Sequence, residues 1–346
     1  MTLLARIARR LKRLLTPTPP HACSAATVDL GAASFARDPF SHYEELRRSG
    51  VVQYLAHHDS WIVLGYDEVQ YAFAHPELFS NRPYAGIDAV LLGADPPDHT
   101  AVRRIVSRYF AAPAMDALCA FAEGKAAELL VPELDVVGGY AKPLSESVAA
   151  HFLGVESDAM FHRLRDDGFA EEEARSLVHL LWLASTETTE RLIARCVLRL
   201  LQHDDVRRRV TEDRGRIPAF VEEVLRLHPP ENILFRTATE DVPLGGATIP
   251  AEASVYLALS AANRDPAKFA APHELRLGRA ERPLTFGFGI HHCVGATLGR
   301  RTIAVAVRTL LERAPHFRAA EPLDALPYHS SLNADSLKRL ILDIRP

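Results

Sequence analysis

This 346-residue chain is poor in cysteine, and the few it has are scattered. The four are Cys23, Cys119, Cys196 and Cys293, and no two form a C-x-x-C pair. Such spacing gives no support to a zinc site or a thioredoxin-like centre. Single thiols suit a reducing compartment, so the expected location is cytoplasmic. Cys119 and Cys196 sit in apolar helical text and read as buried core thiols. Long apolar runs are lacking too. The longest candidate, "LVHLLWLA" at 177–184, is under half of the roughly 20 residues that a bilayer span requires. A net charge of −4 offers nothing for nucleic acid to bind. Internal repeats are absent.

The first 28 positions contain no acidic residue. There "LLARIARRLKRLL" puts Leu3, Leu4, Ile7, Leu11, Leu14 and Leu15 on one helical face, with Arg6, Arg9, Arg10, Lys12 and Arg13 largely elsewhere. A basic amphipathic helix of this kind lies on an anionic membrane, docks on an acidic partner, or packs on its own protein as a tail. "TPTPPH" then breaks the helix. The chain thus divides into a basic segment and linker, 1–27, and a main domain, 28–346.

The main domain reads as mainly helical with a minor sheet portion. From residue 40 the order is helix, two short strands around a turn at His58 and Asp59, then helix. Residues 113–170 are mostly helical, with breaks at Pro132 and "VVGGYAKP". "EEEARSLVHLLWLASTETTERLIARCVLRLLQ" reads as one helix of about thirty residues, too apolar for a surface position. A further helix starts at Pro218 and stops at Pro229, and short strands fill 231–258.

Against this background "FGFGIHHCVG", 286–295, stands out. A thiolate ligand is tuned by backbone N–H donors, and glycines let the chain approach closely enough to supply them. A helix starting just after Cys293 adds its positive end. The loop suits one hydrogen-bonded thiolate beneath a flat cofactor; a glycine-rich turn around an inert cysteine is the alternative.

The full spacing, Phe286, Gly287, Gly289, His291, Cys293 and Gly295, resembles the haem-binding loop of the cytochrome P450 family. "EEVLR" resembles its E-x-x-R motif through Glu223 and Arg226, "ASTETT" its oxygen-activating motif, and "DPPDHTAVRR" its early haem-contacting helix. The likeness covers about residues 28–346 and points to the soluble bacterial branch.

The resemblance implies a P450 fold and haem b (iron protoporphyrin IX) with Cys293 as its axial ligand. His99, Arg103, Arg236 and His291 match positions that meet haem propionates. Two carboxylates on a buried cofactor need such partners. His292 matches no family role. Glu187 and Thr188 match the pair that relays protons for oxygen activation. The implied activity is monooxygenation of a small organic or carrier-tethered substrate. Electrons would come from a ferredoxin or flavodoxin-like partner, and Arg104, Arg108 and Arg300 are candidates for its docking face.

Two departures from the family stand out. Ser185 takes a position that usually holds glycine. And the two long helices that normally roof the distal pocket, the F–G region, have little text, since only about fifteen residues separate "LSESVAAHFLG" from the central helix. An open roof calls for a homo-oligomer or protein partner, a bulky substrate, or the basic N-terminal segment acting as lid or membrane tether through residues 3–15. It also keeps two other functions in view: a haem-thiolate enzyme without standard monooxygenation (peroxide-driven, isomerising or coupling), and a non-enzymatic haem-bearing partner protein.

Overall fold

The order helix, hairpin, helix expected near the start is what the chain forms. The computed structural model describes residues 28–32, 35, 39–330 and 335–344, so segment 1–27 and Cys23 lie outside the described residues. Helix α1 (Pro39–Ser49) is followed by strands β1 (Val52–Leu55) and β2 (Ser60–Val63), and then by α2 (Tyr66–Ala74). The turn between the strands ends at Asp59, which adopts φ 47°. Next come β3 (Phe79–Ser80), α3 (Asp98–Ser107), α4 (Ala112–Glu128) and β4 (Glu133–Asp135). Strand β4 was not legible in the sequence. The expected break at "VVGGYAKP" is instead a π-helical turn, Val136–Ala141, running directly into α5 (Lys142–Leu153). The reason is packing. Tyr140 is fully buried there, and its hydroxyl donates to the Ala306 carbonyl at 2.8 Å.

Helix α5 ends on Gly154 in the left-handed region, φ 62°, where an added Cβ would come within 2.6 Å of Ala159. A single short helix follows, α6 (Ala159–Asp166), before the long helix α7 (Glu171–Gln202). The α7 start is written in its acids: Glu171, Glu172 and Glu173 face the positive end of the helix, and the Glu173 carboxylate accepts from the Ala170 N–H at 2.8 Å. Its second half is almost continuously buried, from Leu192 to Leu200, and forms the middle of the main core with α4, α5 and α11.

Helices α8 (Asp204–Glu212) and α9 (Ile217–Leu227) lead to strands β5 (Ile233–Ala238), β6 (Val242–Leu244), β7 (Ala247–Ile249) and β8 (Ser254–Ala258). The larger sheet has the order β1-β2-β8-β5-β3 and is antiparallel except for the β2–β8 pair. After a single helical turn, α10 (Leu259–Ala262), an irregular stretch leads to α11 (Ala296–Arg313). The chain closes with β9 (Phe317–Ala319), the hairpin β10 (Tyr328–Ser330) and β11 (Asp335–Leu337), and β12 (Ile341–Ile344); β12 joins β4 and β9 in a second sheet.

Cys196 is fully buried, and burial pushes its thiol pKa up. Cys119 is only half-buried, because its side of α4 turns toward Asp116 and Arg301 at the surface. No single helix among the described residues is long and apolar enough to cross a membrane.

Candidate active site around Cys293

The loop before α11 carries Cys293 on a tight backbone. Gly287 and Gly289 have φ 71° and 68°. At Gly289 a Cβ would sit 2.4 Å from the carbonyl oxygen of Phe73, so the approach of this loop to the end of α2 admits only glycine. The Cys293 N–H donates to the Phe286 carbonyl at 2.8 Å, closing the loop. Cys293 is exposed to solvent, yet protein crowds around it closely enough for desolvation to push its thiol pKa up. Both hold for a residue at the floor of a concave opening. Acting against desolvation are the Gly295 N–H, which bonds to the sulfur, and the charges of Arg103 and Arg300. Gly295 itself precedes α11 with φ −84°, so its role is to present that N–H rather than to permit a left-handed turn.

The loop is braced from α9. Glu223 and Arg226 are buried and form a two-pronged pair, Nε–Oε1 at 2.7 Å and Nη2–Oε2 at 3.0 Å. Arg226 also donates to the carbonyls of Asn263, Pro272 and Glu274. Asn263 passes the restraint on. Its Oδ1 accepts from the Leu284 N–H at 2.7 Å and its Nδ2 donates to Thr285 Oγ1, which bonds back to the Leu225 carbonyl. Thr285 precedes Phe286, the residue on which the Cys293 turn closes.

Four predicted residues gather beside the loop. His99 and Arg103 share one face of α3, Arg236 comes from β5, and His291 from the loop itself. The rings of His99 and His291 lie 4.0 Å apart. His99 is buried with neither ring nitrogen partnered, and His291 Nε2 is likewise buried and unpartnered. The His291 pKa falls to about 3, first through desolvation, then through the charges of His99, Arg236 and Arg103. Desolvation also brings Arg236 down to about 10. Arg103 donates to the His292 carbonyl at 2.5 Å, which makes the backbone of His292 its relevant part. The nearest carboxylate, Asp95, is already engaged by Ser80 Oγ at 2.5 Å and the Asn81 N–H at 3.0 Å. This donor set therefore fits a group that brings its own anions.

Sequence reasoning missed three members of the cluster. Asn81 donates through Nδ2 to the Leu92 carbonyl and to His291 Nδ1 at 3.1 Å, which leaves the proton of His291 on the unpartnered Nε2. The Tyr84 hydroxyl accepts from the Phe235 N–H and lies beside Arg236. Phe73 stacks under the Arg236 guanidinium at 5.3 Å. All three lie in "AFAHPELFSNRPY", which carries no spacing signal.

In the middle of α7, Ala184 and Glu187 are exposed and Thr188 is half-buried. The Thr188 hydroxyl bonds back to the Ala184 carbonyl at 2.7 Å. Glu187 is 59% exposed and pairs with Arg191 at 3.1 Å, and Arg191 is shared with Glu231 at 3.2 Å. The Ser185 hydroxyl donates to the Leu181 carbonyl at 2.6 Å. Of the docking candidates, Arg300 is paired with Glu222 and Arg108 with Asp167. Arg104 lines a separate surface groove of about 610 Å³ with Pro96, Pro97, Thr100 and Ala101.

Comparison with known proteins agrees with this geometry. Residues 144–324 match the family model described as Cytochrome P450. Cytochrome P450 109 of Bacillus spizizenii is 31% identical over an alignment of 358 residues that covers 84% of this chain and 88% of that protein. The cytochrome P450 monooxygenase PikC of Streptomyces venezuelae is 30% identical over 89% of this chain and 90% of its own length. Among solved structures, P450BioI in complex with an acyl carrier protein ligated to hexadec-9Z-enoic acid superposes with a TM-score of 0.81 at 26% identity, covering 90% of this chain and 100% of that one. The tirandamycin C-bound monooxygenase TamI superposes with a TM-score of 0.80 at 29% identity, covering 91% and 99%. This chain belongs to the cytochrome P450 family and is a haem-thiolate monooxygenase.

Proposed function

We propose that Cys293 supplies the axial thiolate to haem b and that His99, Arg103, Arg236 and His291 hold its two carboxylates. The observation that carries this reading is the convergence of unpartnered imidazole nitrogens, the buried Arg236 guanidinium and the half-buried Arg103 beside a solvent-facing thiol. A lone thiol gives one ligand, which suits a metal whose other ligands come with the cofactor. Bound haem supplies redox chemistry, with thiolate donation favouring O–O cleavage. Phe286, Gly287, Gly289 and Gly295 shape the loop and aim an N–H at the sulfur.

Glu187 and Thr188 then serve as the proton-delivering pair. The Thr188 hydroxyl donates to the Ala184 carbonyl, so its lone pairs stay available to accept a hydrogen bond from a water that carries the proton. Glu187, reachable from solvent and held by Arg191, resupplies it. The substrate is a small organic or carrier-tethered molecule, in keeping with the acyl-carrier complex of the neighbour P450BioI. The electron donor is ferredoxin or flavodoxin-like. The open side of α7 favours a second reading, turnover driven by peroxide without a reductase.

The deciding experiment is the carbon monoxide difference spectrum of the reduced protein. The expected thiolate-type band disappears in Cys293→His, which keeps haem but offers imidazole. A spectrum unaffected by that substitution refutes the assignment. Turnover with peroxide, and none with oxygen and a reductant, selects the second reading.

A further inference from the structure

Arg191 sits one turn beyond Glu187 on α7, and its guanidinium serves two acids. Nη2 donates to Glu187 Oε2 at 3.1 Å. Nη1 donates to Glu231 Oε1 at 3.2 Å and to the Pro230 carbonyl at 3.4 Å. The fork is therefore split between two carboxylates. The Glu223 pair shows the other arrangement, in which Arg226 grips one carboxylate with Nε and Nη2 together. A two-pronged grip holds a carboxylate more tightly than a single bond does. Glu187 has only the single bond, and among the described residues its Oε1 accepts none.

The two acids are not held alike. Glu231 stands on fixed backbone. Pro229 and Pro230 precede it, and the Asn232 carbonyl after it accepts from the Ser260 N–H at 3.3 Å and from Ser260 Oγ at 3.4 Å. The Glu231 side chain is 33% exposed, against 59% for Glu187. Glu231 and Pro230 thus form a post that keeps one edge of the Arg191 guanidinium turned away from Glu187. At the other edge Glu187 has one bond in wet surroundings, and such a pair opens readily. An acid four residues ahead of a base is the favoured order on a helix, so an Arg191 released from its post turns both edges to Glu187.

We propose that Glu231 is a positioning residue for proton delivery: by holding one edge of Arg191 it keeps Glu187 on a single bond, free to move a proton from solvent toward Thr188. This rests on the reading of Glu187 and Thr188 as the proton-delivering pair. In that relay Glu187 gains one proton at Oε1 and gives one to the water at Thr188, which restores its carboxylate. Clamped at both oxygens, Glu187 is a poorer carrier.

The test reads Glu187 directly. The holoprotein is labelled with a water-soluble carbodiimide and glycine ethyl ester, and the rate at each carboxylate is followed by peptide mass spectrometry. Glu231→Ala is expected to slow labelling of Glu187 about twofold, the size of one added contact between residues four apart on a helix. Glu231→Gln, which keeps an acceptor oxygen, should slow it less. Arg191→Gln should speed it, and adding Glu231→Ala to that variant should change nothing more. Equal labelling of Glu187 in the parent and in Glu231→Ala overturns the proposal. So does slowing that persists without Arg191, or slowing at the neighbouring Glu190 instead. Turnover gives the second readout. In Glu231→Ala, product formed per electron should fall and the solvent deuterium isotope effect should rise, while KM and haem content match the parent. A slowed label with unchanged coupling and isotope effect also overturns it. If Glu187→Gln itself leaves coupling unchanged, the proton-delivery reading has failed, whereas the split of Arg191 stands or falls on the label alone.

Discussion

Removing the Glu223 carboxylate should unseat the thiol loop without touching it. Glu223 Oε1 accepts one bond from Arg226, and Oε2 accepts three: from Arg226 Nη2 at 3.0 Å, the Arg276 N–H at 2.9 Å and Arg279 Nε at 3.0 Å. Two guanidiniums therefore depend on this one carboxylate, and the Arg226 and Arg279 side chains are only 1% and 8% exposed. Glu223→Ala leaves both without a counter-charge. Breaking a buried pair by removing one partner costs about 3–5 kcal/mol. Folded domains have only about 5–15 kcal/mol to lose. The strain is also local to the site, since Arg226 holds Asn263 and Asn263 fixes Leu284 and Thr285. The expected result is a protein whose urea midpoint falls sharply and which purifies with little haem per chain. Glu223→Met/Arg226→Leu, which removes the pair together, should recover part of the stability but not the loop geometry, because the carbonyls that Arg226 satisfied are left empty. A Glu223→Ala protein with an unchanged midpoint and full haem content refutes the brace.

Three further predictions follow from the same geometry. Gly289→Ala must move either the loop or Phe73, at about 1–3 kcal/mol for overpacking and another 1–2 for the left-handed backbone, and should lower both melting temperature and haem retention. Thr188→Ala should leave the haem spectrum intact while electron consumption runs ahead of product; unchanged coupling removes Thr188 from proton delivery. His228, crowded by protein and by Arg195, Arg199, Arg264 and Arg226, accepts from Arg199 Nε at 2.9 Å and has its pKa driven well below 6.5 by desolvation and those charges. The unfolded chain takes up a proton at this residue below about pH 6.5 and the folded one does not, so stability is full above that pH and falls by up to about 1.4 kcal/mol per unit below it. Urea titrations from pH 7 to 5 should show this slope, and His228→Gln should flatten it.

The sequence was most informative where one residue type is needed for a chemical reason. Gly289 has no room for a Cβ, Cys293 offers the only thiol in its loop, and the spacing of His99 and Arg103 puts both on one side of α3. The long helix was legible because both its ends are marked, by three glutamates before and by an acid-led new helix after. What escaped was set by distant contacts. Strand β4 is three residues long and exists through its pairing with β12, over two hundred positions later. The π-helical turn 136–141 exists because Tyr140 reaches Ala306. Asn81 and Tyr84 enter the site only because β3 pairs with β5, the strand that carries Arg236.

The charge distribution gives the site a direction. On one side, His99, Arg103, Arg236 and His291 are brought together, and the neighbouring acid Asp95 is already engaged by Ser80 and Asn81. Burying that much donor capacity without acceptors costs free energy, so this cluster is a liability until two carboxylates arrive. On the other side, the open face of α7 gathers glutamates with too few cations. Under the proposed assignment, a bound group's carboxylates at the His99–Arg236 cluster relieve an electrostatic cost that folding has already incurred, so haem loading should raise the melting temperature.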